Sequence, residues 1–547
     1  HSTDSCPRLG AEVSGGTILG AGGQMVNPSP LPNPVTTPSP TVTASPAANA
    51  PTLPTGLQIV EQTSTSITLQ WEFGSERVFY RLFLDGREVV AHLTNPNYYR
   101  FEGLSPSTAH ILGVQAVNLE ALTSQIASLS ATTLSSGHSG SGNFSGGGST
   151  QLSSPVPLDE FIVNTDTGMF HNFPGIAMDS TGDFVVVWQS SDQDGSDYGI
   201  YAQRYSASGK PHGNEFRVND NTNAKQHQAA VAMDDDGDFV VTWTSDNQDS
   251  IFAKRFDSRG RALAGEFRVN TFSGLPHRNP DVALDHDGDF VITWQSYGQD
   301  GHHYGIFAQR YNNRGQALGS DFPVNTSTTG SQSHPAIAMD RDGDFVINWT
   351  GRVDDSNSYG VFAQRFASNA QARGSEFRVD DFSINREEGA SIACDKEGDF
   401  VISWDADGFD GDSYAILARR FDSNGTPAGS GFQVNTSTTS LQVQPSVAMN
   451  ADGDFIISWV SFQAEAPGGE AGRRDGGGIF AQRFDQLGNL VGTEFQVNTF
   501  TTGRQSIPEV AINQTGNFAI IWKSPDQDRN ALDIKAQLYL HGENLIP

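Results

Sequence analysis

Short alternating runs of apolar and polar residues recur through the greater part of this chain. Residues 335–380 give one unit, in which the runs PAIAMD, FVINW, YGVFAQRF and EFRVD are separated by polar segments rich in Gly, Asp, Asn and Ser. Aromatic and β-branched residues dominate the runs, and no stretch of about twelve residues has helical spacing. The pattern therefore predicts four short β-strands in each unit.

The same unit occurs seven times. The triplet Gly-Asp-Phe begins at Gly182, Gly237, Gly288, Gly343, Gly398 and Gly453, and a Gly-Asn-Phe variant begins at Gly516. A tryptophan follows the phenylalanine by four residues in every copy: Trp188, Trp243, Trp294, Trp349, Trp404, Trp459 and Trp522. Self-similarity with a period of about 55 residues is typical of propellers and solenoids.

The second run of each unit is apolar on both faces, as in FVVVW (residues 184–188), which predicts sheets stacked against other sheets. Four strands per unit and seven units favour an all-β fold containing a seven-bladed β-propeller. A fourth-strand sequence, EFIVN, precedes the first unit at Glu160, and the last unit ends after its third strand. We therefore expect an N-terminal strand to complete the last blade and close the ring. An open solenoid is the alternative, but no capping unit is visible in the sequence.

Composition divides the rest of the chain. Residues 1–54 form a tail rich in Pro, Ser and Thr, which is typical of disordered segments. Residues 55–134 are strand-rich and have the size of a β-sandwich, and residues 135–157 form a linker rich in Gly and Ser. The propeller is predicted over 158–541, and residues 542–547 form a C-terminal tail.

The strand-rich stretch resembles a fibronectin type III domain. Trp71 in TSITLQWEF stands where that family has its core tryptophan, and FEGLSPSTAHILGVQAVN follows the family pattern L-x-P-x-T-x-Y-x-x-x-V-x-A-x-N. His110 replaces the corner tyrosine of the family. The resemblance implies a β-sandwich that acts as a spacer. The propeller units resemble repeats of large secreted or surface proteins of bacteria, which implies a location more than a chemistry.

The charge balance narrows the class of partner. With 33 Lys and Arg against 63 Asp and Glu, the formal net charge is −30. Nucleic acids and anionic membrane surfaces are bound by basic patches, so neither is expected as a partner. No apolar run reaches membrane-spanning length, and no membrane insertion is expected. The chain starts at His1, which suggests removal of a signal peptide and an extracellular or cell-surface location.

The turns between the first and second strands carry closely spaced carboxylates. Tight turns use Asp and Gly for their backbone conformation, and this is the simpler interpretation. Calcium is the alternative, because six to eight oxygen ligands can come from clustered carboxylates. No cofactor is required by the pattern. The candidate calcium ligands are Asp234, Asp236, Asp238, Asp285, Asp287, Asp289, Asp340, Asp342 and Asp344.

Variable loops on a rigid scaffold are where binding commonly resides. The loops between second and third strands vary most, and the sixth unit carries a long insertion, FQAEAPGGEAGRRDGGG (residues 462–478). The candidate ligand-binding residues are Asp300, His302, His303, Asp407, Asp410, Asp412, Arg473 and Arg474. Each of them is also explained as an ordinary solvated loop residue.

Catalysis finds little support in the sequence. No nucleophile elbow, zinc-binding helix or phosphate-binding loop is present, and no pair of carboxylates stands out as a glycosidase pair. The sequence therefore predicts that the protein is not an enzyme and has no catalytic residue. The repeated Gln-Arg pair, as at Gln203-Arg204, predicts a structural contact with the glutamate of the fourth strand.

Three functions follow as hypotheses. The favoured one is a non-enzymatic extracellular adhesion protein, which binds a protein or glycan at a cell surface or in a matrix. The second is a structural subunit of an extracellular filament or surface layer, self-assembled through residues 1–54. The third is a carbohydrate-active enzyme or lectin.

Overall fold

A computed structural model gives the conformation of the chain. It describes residues 54, 57–62, 67–71, 78–85, 87–93, 98–101, 104–105, 108–118, 124, 126–132, 156–166, 168–195, 197–352, 359–380, 387–409, 413–438, 441–462, 477–501, 503–525 and 531–540. Every regular element in these residues is a β-strand, so the all-β prediction is confirmed. None of these residues forms a helix long and apolar enough to cross a bilayer.

Two sheets form the first folded region. Its strands are β1 (Gln58–Gln62), β2 (Ile67–Gln70), β3 (Val78–Leu84), β4 (Arg87–Leu93), β5 (Tyr98–Phe101), β6 (Ala109–Asn118) and β7 (Ala127–Thr132). The sheet orders are β1-β2-β5 and β4-β3-β6-β7. Trp71 is 1% exposed in a core to which both sheets contribute. His110, in place of the expected tyrosine, is also buried, and its Nδ1 lies 2.8 Å from Asp85 Oδ2.

The repeats build sheets whose four strands are paired in chain order. Sheet 1 follows two short strands, β8 (Val156–Pro157) and β9 (Phe161–Ile162). Sheets 1 to 3 contain β10 (His171–Met178), β11 (Phe184–Ser191), β12 (Tyr198–Tyr205) and β13 (Phe216–Arg217); β14 (Gln226–Met233), β15 (Phe239–Ser245), β16 (Ser250–Phe256) and β17 (Phe267–Arg268); and β18 (His277–Leu284), β19 (Phe290–Tyr297), β20 (Tyr304–Tyr311) and β21 (Phe322–Pro323).

The later sheets follow the same order. Sheets 4 to 6 contain β22 (Gln332–Met339), β23 (Phe345–Arg352), β24 (Tyr359–Phe366) and β25 (Phe377–Arg378); β26 (Glu387–Cys394), β27 (Phe400–Asp407), β28 (Tyr414–Phe421) and β29 (Phe432–Gln433); and β30 (Gln442–Met449), β31 (Phe455–Ser461), β32 (Gly478–Phe484) and β33 (Leu490–Gln496). Sheet 7 contains β34 (Ser506–Ile512), β35 (Phe518–Pro525) and β36 (Leu532–Leu540), and both β8 and β9 pair with β36. Strand β8 lies within residues 135–157, which the sequence predicted as linker.

Apolar side chains join each sheet to the next. The second strands are buried on both faces, and the repeat tryptophans are 0 to 1% exposed. Each apolar cluster of the described repeats is shared by two sheets, for example the cluster of Val187, Ile200 and Trp243 between sheets 1 and 2. Another cluster joins Trp188 of sheet 1 to Ile521 of sheet 7. Burial of apolar area on both faces of every sheet is therefore the main source of stability.

Polar contacts between consecutive sheets repeat as well. The Gln-Arg prediction was wrong about the partner, because Arg365 donates to the backbone carbonyl of Ser423 in the next sheet at 2.5 Å. The fourth-strand glutamate instead accepts hydrogen bonds from a threonine of the preceding sheet. Glu376, for example, accepts from the amide of Thr326 at 2.6 Å and from its hydroxyl at 2.9 Å.

The first strand of every repeat sheet contains a β-bulge near its start, two residues after a buried Gln, His or Glu. The pairing register shifts there in all of them. The residues and their φ angles are Phe173 (48°), Gln228 (55°), Asn279 (50°), His334 (53°), Gly389 (62°), Gln444 (59°) and Ile507 (54°). Only glycine adopts this left-handed region without strain, and a non-glycine residue there costs roughly 1–3 kcal/mol. The packing between sheets must therefore hold these bulges in place.

Gly389 offers a test of that strain. A Cβ there would lie 3.2 Å from Asp405 Oδ2, and φ is +62°. We expect Gly389→Val to lower the free energy of unfolding by about 1–2 kcal/mol, because a β-branched residue fits this region worst. Gly389→Asn is the matched control, since Asn279 occupies the same position in sheet 3. Denaturant unfolding measures both variants, and equal effects would contradict the prediction.

Candidate functional site

The two ends of each repeat sheet carry different connections. Because neighbouring strands are antiparallel, alternate connections emerge at the same end. We call the loop face the end with the loops between second and third strands and the links to the next sheet. We call the turn face the opposite end, which carries the acidic turns. The sequence-predicted ligand residues lie on the loop face, and the predicted calcium ligands lie on the turn face.

The acidic turns use their carboxylates for backbone hydrogen bonds. Asp340 Oδ1 accepts the amides of Asp342 at 3.0 Å and Asp344 at 2.9 Å, and Asp344 Oδ1 accepts the amide of Ser368 at 2.8 Å. Asp234, Asp236 and Asp238 form an equivalent turn, as do Asp285, Asp287 and Asp289. Among the described residues, no group of three or more His, Cys, Asp or Glu side chains could hold a metal. Calcium binding stays a prediction without a donor cluster to support it.

A cavity of about 360 Å³ lies on the turn face between sheets 4 and 5. Its charged lining is largely paired within the protein. Arg373 lies 2.5 Å from Asp344, and Lys396 lies 3.0 Å from Asp452. These ion pairs engage two of the three cations that line the cavity, and the third, Arg365, donates to a backbone carbonyl.

The loop-face candidates fall in separate sheets. Asp300, His302 and His303 share the loop of sheet 3, where Asp300 Oδ1 accepts the amide of His302 at 3.0 Å. Asp407 ends strand β27 in sheet 5 and pairs in register with Tyr414. No hydrogen bond or ion pair in the described part of the chain joins Asp407 to the loop of Asp300. Asp410, Asp412, Arg473 and Arg474 lie outside the described residues.

An aromatic group surrounds the sheet-3 loop. Tyr297 is 38% exposed, and its ring lies 5.1 Å from that of Tyr304 and 6.3 Å from that of His303, both edge-on. Leu275, from the preceding link, is 37% exposed beside the same loop. We call Leu275, Tyr297, His303 and Tyr304 the sheet-3 patch. Exposed rings beside polar side chains can stack on the apolar face of a sugar and bind its hydroxyl groups.

Sequence reasoning did not select Tyr297, although a signal was present. In sheet 6 the place of Tyr297 is taken by Phe462, which is only 8% exposed, and in sheets 1, 4, 5 and 7 it is taken by smaller or polar residues. Those residues are Ser191, Arg352, Asp407 and Pro525. Packing between sheets explains the residues that all repeats share. An exposed residue that differs from its repeat is not explained by packing and is therefore a candidate for function.

Two buried carboxyl groups break the repeat at the link from sheet 4 to sheet 5. Asp380 and Glu387 are 4% and 0% exposed, and Arg378 forms an ion pair with Asp380. Other sheets carry Asn at the first place and Gln or His at the second, as in Asn325 and Gln332. Burial raises the pKa of Glu387 to about 10, and the neighbouring Asp380 adds to the rise. Glu387 therefore stays protonated at neutral pH, and its full burial keeps it from a ligand.

Two further carboxyl groups join neighbouring first strands. Asp281 Oδ2 accepts the amide of Ile337 at 2.9 Å, and Glu509 accepts the hydroxyl of Ser446 at 2.8 Å. Burial raises the pKa of Asp281 to about 6 and that of Glu509 to about 7. Each partner belongs to an adjacent sheet, so both groups have a structural role in holding first strands together.

Comparison with known proteins gives little sequence likeness. The chain matches no known protein family and no curated protein sequence. The β-propeller domain of the Trilobed protease from Pyrococcus furiosus is similar at 8% identity, over 65% of this chain and 91% of that one, with a TM-score of 0.38. A Hadza microbial sialidase is similar at 10% identity, over 91% and 99%, with a TM-score of 0.41. A fungal alcohol oxidase is similar at 12% identity, over 72% and 79%, with a TM-score of 0.42.

These structures correct one prediction. The sequence predicted that the protein is not an enzyme, and the similar structures include enzymes, namely the sialidase and the alcohol oxidase. The prediction relied on missing sequence motifs, and such motifs cover only a few chemistries. All three TM-scores are below 0.5, so we transfer no activity from these proteins to this chain.

Glu387→Gln tests the buried acid pair. In sheets 2, 6 and 7 a Gln at this place accepts the indole N–H of the repeat tryptophan, whereas Trp404 in sheet 5 has no partner for that group among the described residues. Folding raises the pKa of Glu387 from its ordinary value of 4.5 to about 10. Below pH 4.5 the group is protonated in both states and does not lower the stability, and between the two values the loss of stability grows with pH because only the unfolded state releases the proton. We expect the variant to be more stable by at least about 1 kcal/mol at pH 8 and little changed at pH 4.

Denaturant unfolding from pH 4 to pH 9 measures this effect. Gln332→Glu in sheet 4 is the reverse control and should lose stability as the pH rises. If Glu387→Gln raises the free energy of unfolding by the same amount at every pH, the raised pKa of Glu387 is not the cause.

Proposed function

We propose that this protein is an extracellular or cell-surface glycan-binding protein, built as a seven-bladed β-propeller on a fibronectin type III-like spacer. The propeller is closed by its N-terminal strand, and the ligand binds on the loop face. The observation that carries the proposal is the sheet-3 patch, in which Tyr297 exposes an aromatic ring at a place where sheets 1, 4, 5 and 7 have smaller or polar residues and sheet 6 has a buried phenylalanine.

The contacts of residues 158–164 support ring closure. Asn164 Oδ1 accepts the amide of Ile534 at 2.7 Å, as the equivalent Asn219 accepts that of Ile200 inside sheet 1. Glu160 accepts the amide and hydroxyl of Thr499, both at 2.8 Å, which repeats the Thr-Glu contact found between other consecutive sheets. The N-terminal strand thus makes in sheet 7 the contacts that fourth strands make elsewhere.

One contact is particular to the closure. Lys535 Nζ lies 2.6 Å from Glu160 Oε1, and the two side chains are 15% and 8% exposed. The lysine also lies over the ring of Phe500 at 4.8 Å. Aromatic or leucine residues occupy its place in the other sheets, as Tyr201 does in sheet 1. A buried ion pair of this kind favours one register of the strand over others.

The spacer and the location have their own support. The two sheets of residues 58–132 pack on a common core that contains Trp71, as a fibronectin type III sandwich requires. A net charge of −30 favours neutral or cationic ligands in general, and leaves a glycan as an acceptable partner.

Lys535→Met tests the closure. Loss of the amine leaves Glu160 buried without its counterion, and breaking such a pair costs roughly 3 kcal/mol. We expect the variant to unfold at lower denaturant and to exchange amide hydrogens faster in β10 of sheet 1 as well as in β36. Lys396→Met is the control, because its ion pair with Asp452 is exposed and is worth less than about 1 kcal/mol. Faster exchange confined to residues 156–164 would contradict ring closure.

The same contact predicts acid sensitivity. Burial raises the pKa of Glu160, but its hydrogen bonds from Lys535 and Thr499 outweigh burial and leave the pKa lowered. A lowered pKa gives stability above the ordinary value of 4.5, and that stability is lost as the pH falls through the folded value. In Lys535→Met, the free energy of unfolding should therefore fall less steeply than in the unchanged protein as the pH is lowered below about 4.5.

Tyr297→Ala tests the glycan proposal. A glycan array with the full chain should give at least one hit, and the variant should bind that hit roughly 3- to 10-fold more weakly, since a lost stacking contact costs about 0.5–1.5 kcal/mol. Leu487→Ala is the control, because Leu487 is 70% exposed on the turn face. Reducing sugar released from a hit would make the protein carbohydrate-active, and binding without release would make it a lectin. An array with no hit would overturn the proposal.

A further inference from the structure

Two cations on the loop face of sheet 7 have no counterion among the residues that the structure describes. Lys523 follows the repeat tryptophan Trp522, and Arg504 precedes the first strand of the same sheet. The guanidinium of Arg504 lies over the ring of Phe462 at 5.0 Å. Neither cation forms an ion pair or hydrogen bond with the described residues. An unmatched pair of cations is unusual in a chain whose net charge is −30.

Sheet 2 carries a cation with a counterion at the place equivalent to that of Arg504. Lys225 occupies in sheet 2 the place that Arg504 occupies in sheet 7, one residue before the buried Gln that binds the repeat tryptophan. Lys225 Nζ lies 3.5 Å from Asp197. The loop of the preceding sheet can therefore supply an acid to a cation at this place, and no residue that the structure describes does so for Arg504.

The two cations also act on each other. Burial lowers the pKa of Lys523, and the charge of Arg504 lowers it further. Both effects disfavour the charged amine. A bound anion would relieve both, because it would replace lost hydration and separate the like charges.

An unpaired hydroxyl lies beside the amine. Ser506 is directly opposite Lys523 in the β34–β35 pairing, so their side chains project from the same side of the sheet. Ser506 is 3% exposed, and its Oγ has no hydrogen-bond partner. Buried hydroxyls are normally paired. Five other buried serines of the repeats also lack a partner, so what distinguishes Ser506 is the cation directly opposite it.

Apolar surface borders the site in sheet 1. In sheets 1, 3 and 5 the residue after the repeat tryptophan accepts the bulge amide of the next sheet, as Gln295 accepts that of His334 at 3.0 Å. Lys523 has no acceptor atom, and the corresponding bulge amide of Phe173 binds Asn172 Oδ1 instead. Phe173 is 40% exposed, and β10 contacts β35. The exposed Phe173 therefore lies on the strand of sheet 1 that packs against β35, the strand that carries Lys523.

We propose that Lys523, Arg504 and Ser506 bind the carboxylate of a uronic acid residue, while Phe173 contacts the apolar face of its ring. The inference deepens the proposed function and rests on it, because it gives the chemical class of one sugar in the bound glycan. The two cations neutralise the carboxylate, the serine hydroxyl donates to it, and the ring selects a sugar over a small inorganic anion.

Binding of oligogalacturonate and of its fully methyl-esterified form to the full chain tests the proposal. The probes share a backbone and differ in the charge of the carboxyl group. Isothermal titration calorimetry should give about tenfold tighter binding of the acidic probe, since a charge-assisted contact is worth roughly 1.4 kcal/mol or more. The preference should fall as salt is added.

Repeat-derived variants identify the residues. Lys523→Val and Arg504→Leu introduce the residues of sheet 6, Val460 and Leu441, so both should fold. Each should abolish most of the preference for the acidic probe, and Lys523→Arg should retain it. Lys225→Leu is the matched control and should leave the preference unchanged. A thermal melt verifies that every variant is folded.

The outcomes separate the two proposals. Equal affinity for the two probes, no binding of either, or an undiminished preference in both Lys523→Val and Arg504→Leu would overturn the uronate site. If the glycan array still gives neutral hits that depend on Tyr297, the proposed function stands without this site.

Discussion

Every repeat sheet has two apolar faces, and this constraint governs the rest of the structure. A second strand such as Phe184–Ser191 is buried along its whole length, so neither side of its sheet can face water. Each sheet therefore needs a neighbour on both sides, and the first sheet finds one in the last. The proposed ring follows from this need, and the N-terminal strand is the part of the chain available to hold the ends together.

Polar contacts add specificity to that packing. The Thr-Glu hydrogen bonds and the arginine contacts each join one sheet to the next, so they fix the relative position of sheets that apolar contact alone would allow to slide. The packed sheets also tolerate groups that lower stability locally. They hold left-handed residues at the bulges and bury carboxyl groups such as Glu387, because the surrounding contacts are numerous and repeated.

The departures from the repeat carry the functional argument. Residues shared by all sheets are explained by packing, and a ligand site on a repeated scaffold must break its symmetry. Tyr297 does so on sheet 3, and Lys523 with Arg504 does so on sheet 7. Asp380 and Glu387 also differ from the other repeats. Because both are buried, they affect stability and cannot contact a ligand.

The sequence by itself determined the strands, their order in each sheet and the place of the first strand in the last sheet. These features are local or periodic: alternation fixes the strands, and the repeat fixes which segment lacks a partner. Only the tertiary structure decided which charges are paired, because a counterion such as Asp197 for Lys225 comes from another part of the chain. The sequence left Asp340 and Asp344 open as turn residues or, alternatively, calcium ligands, and in the fold both carboxylates accept backbone amides. It did not mark Lys523, because the lack of a counterion among the described residues is seen only when the neighbouring sheets are in place.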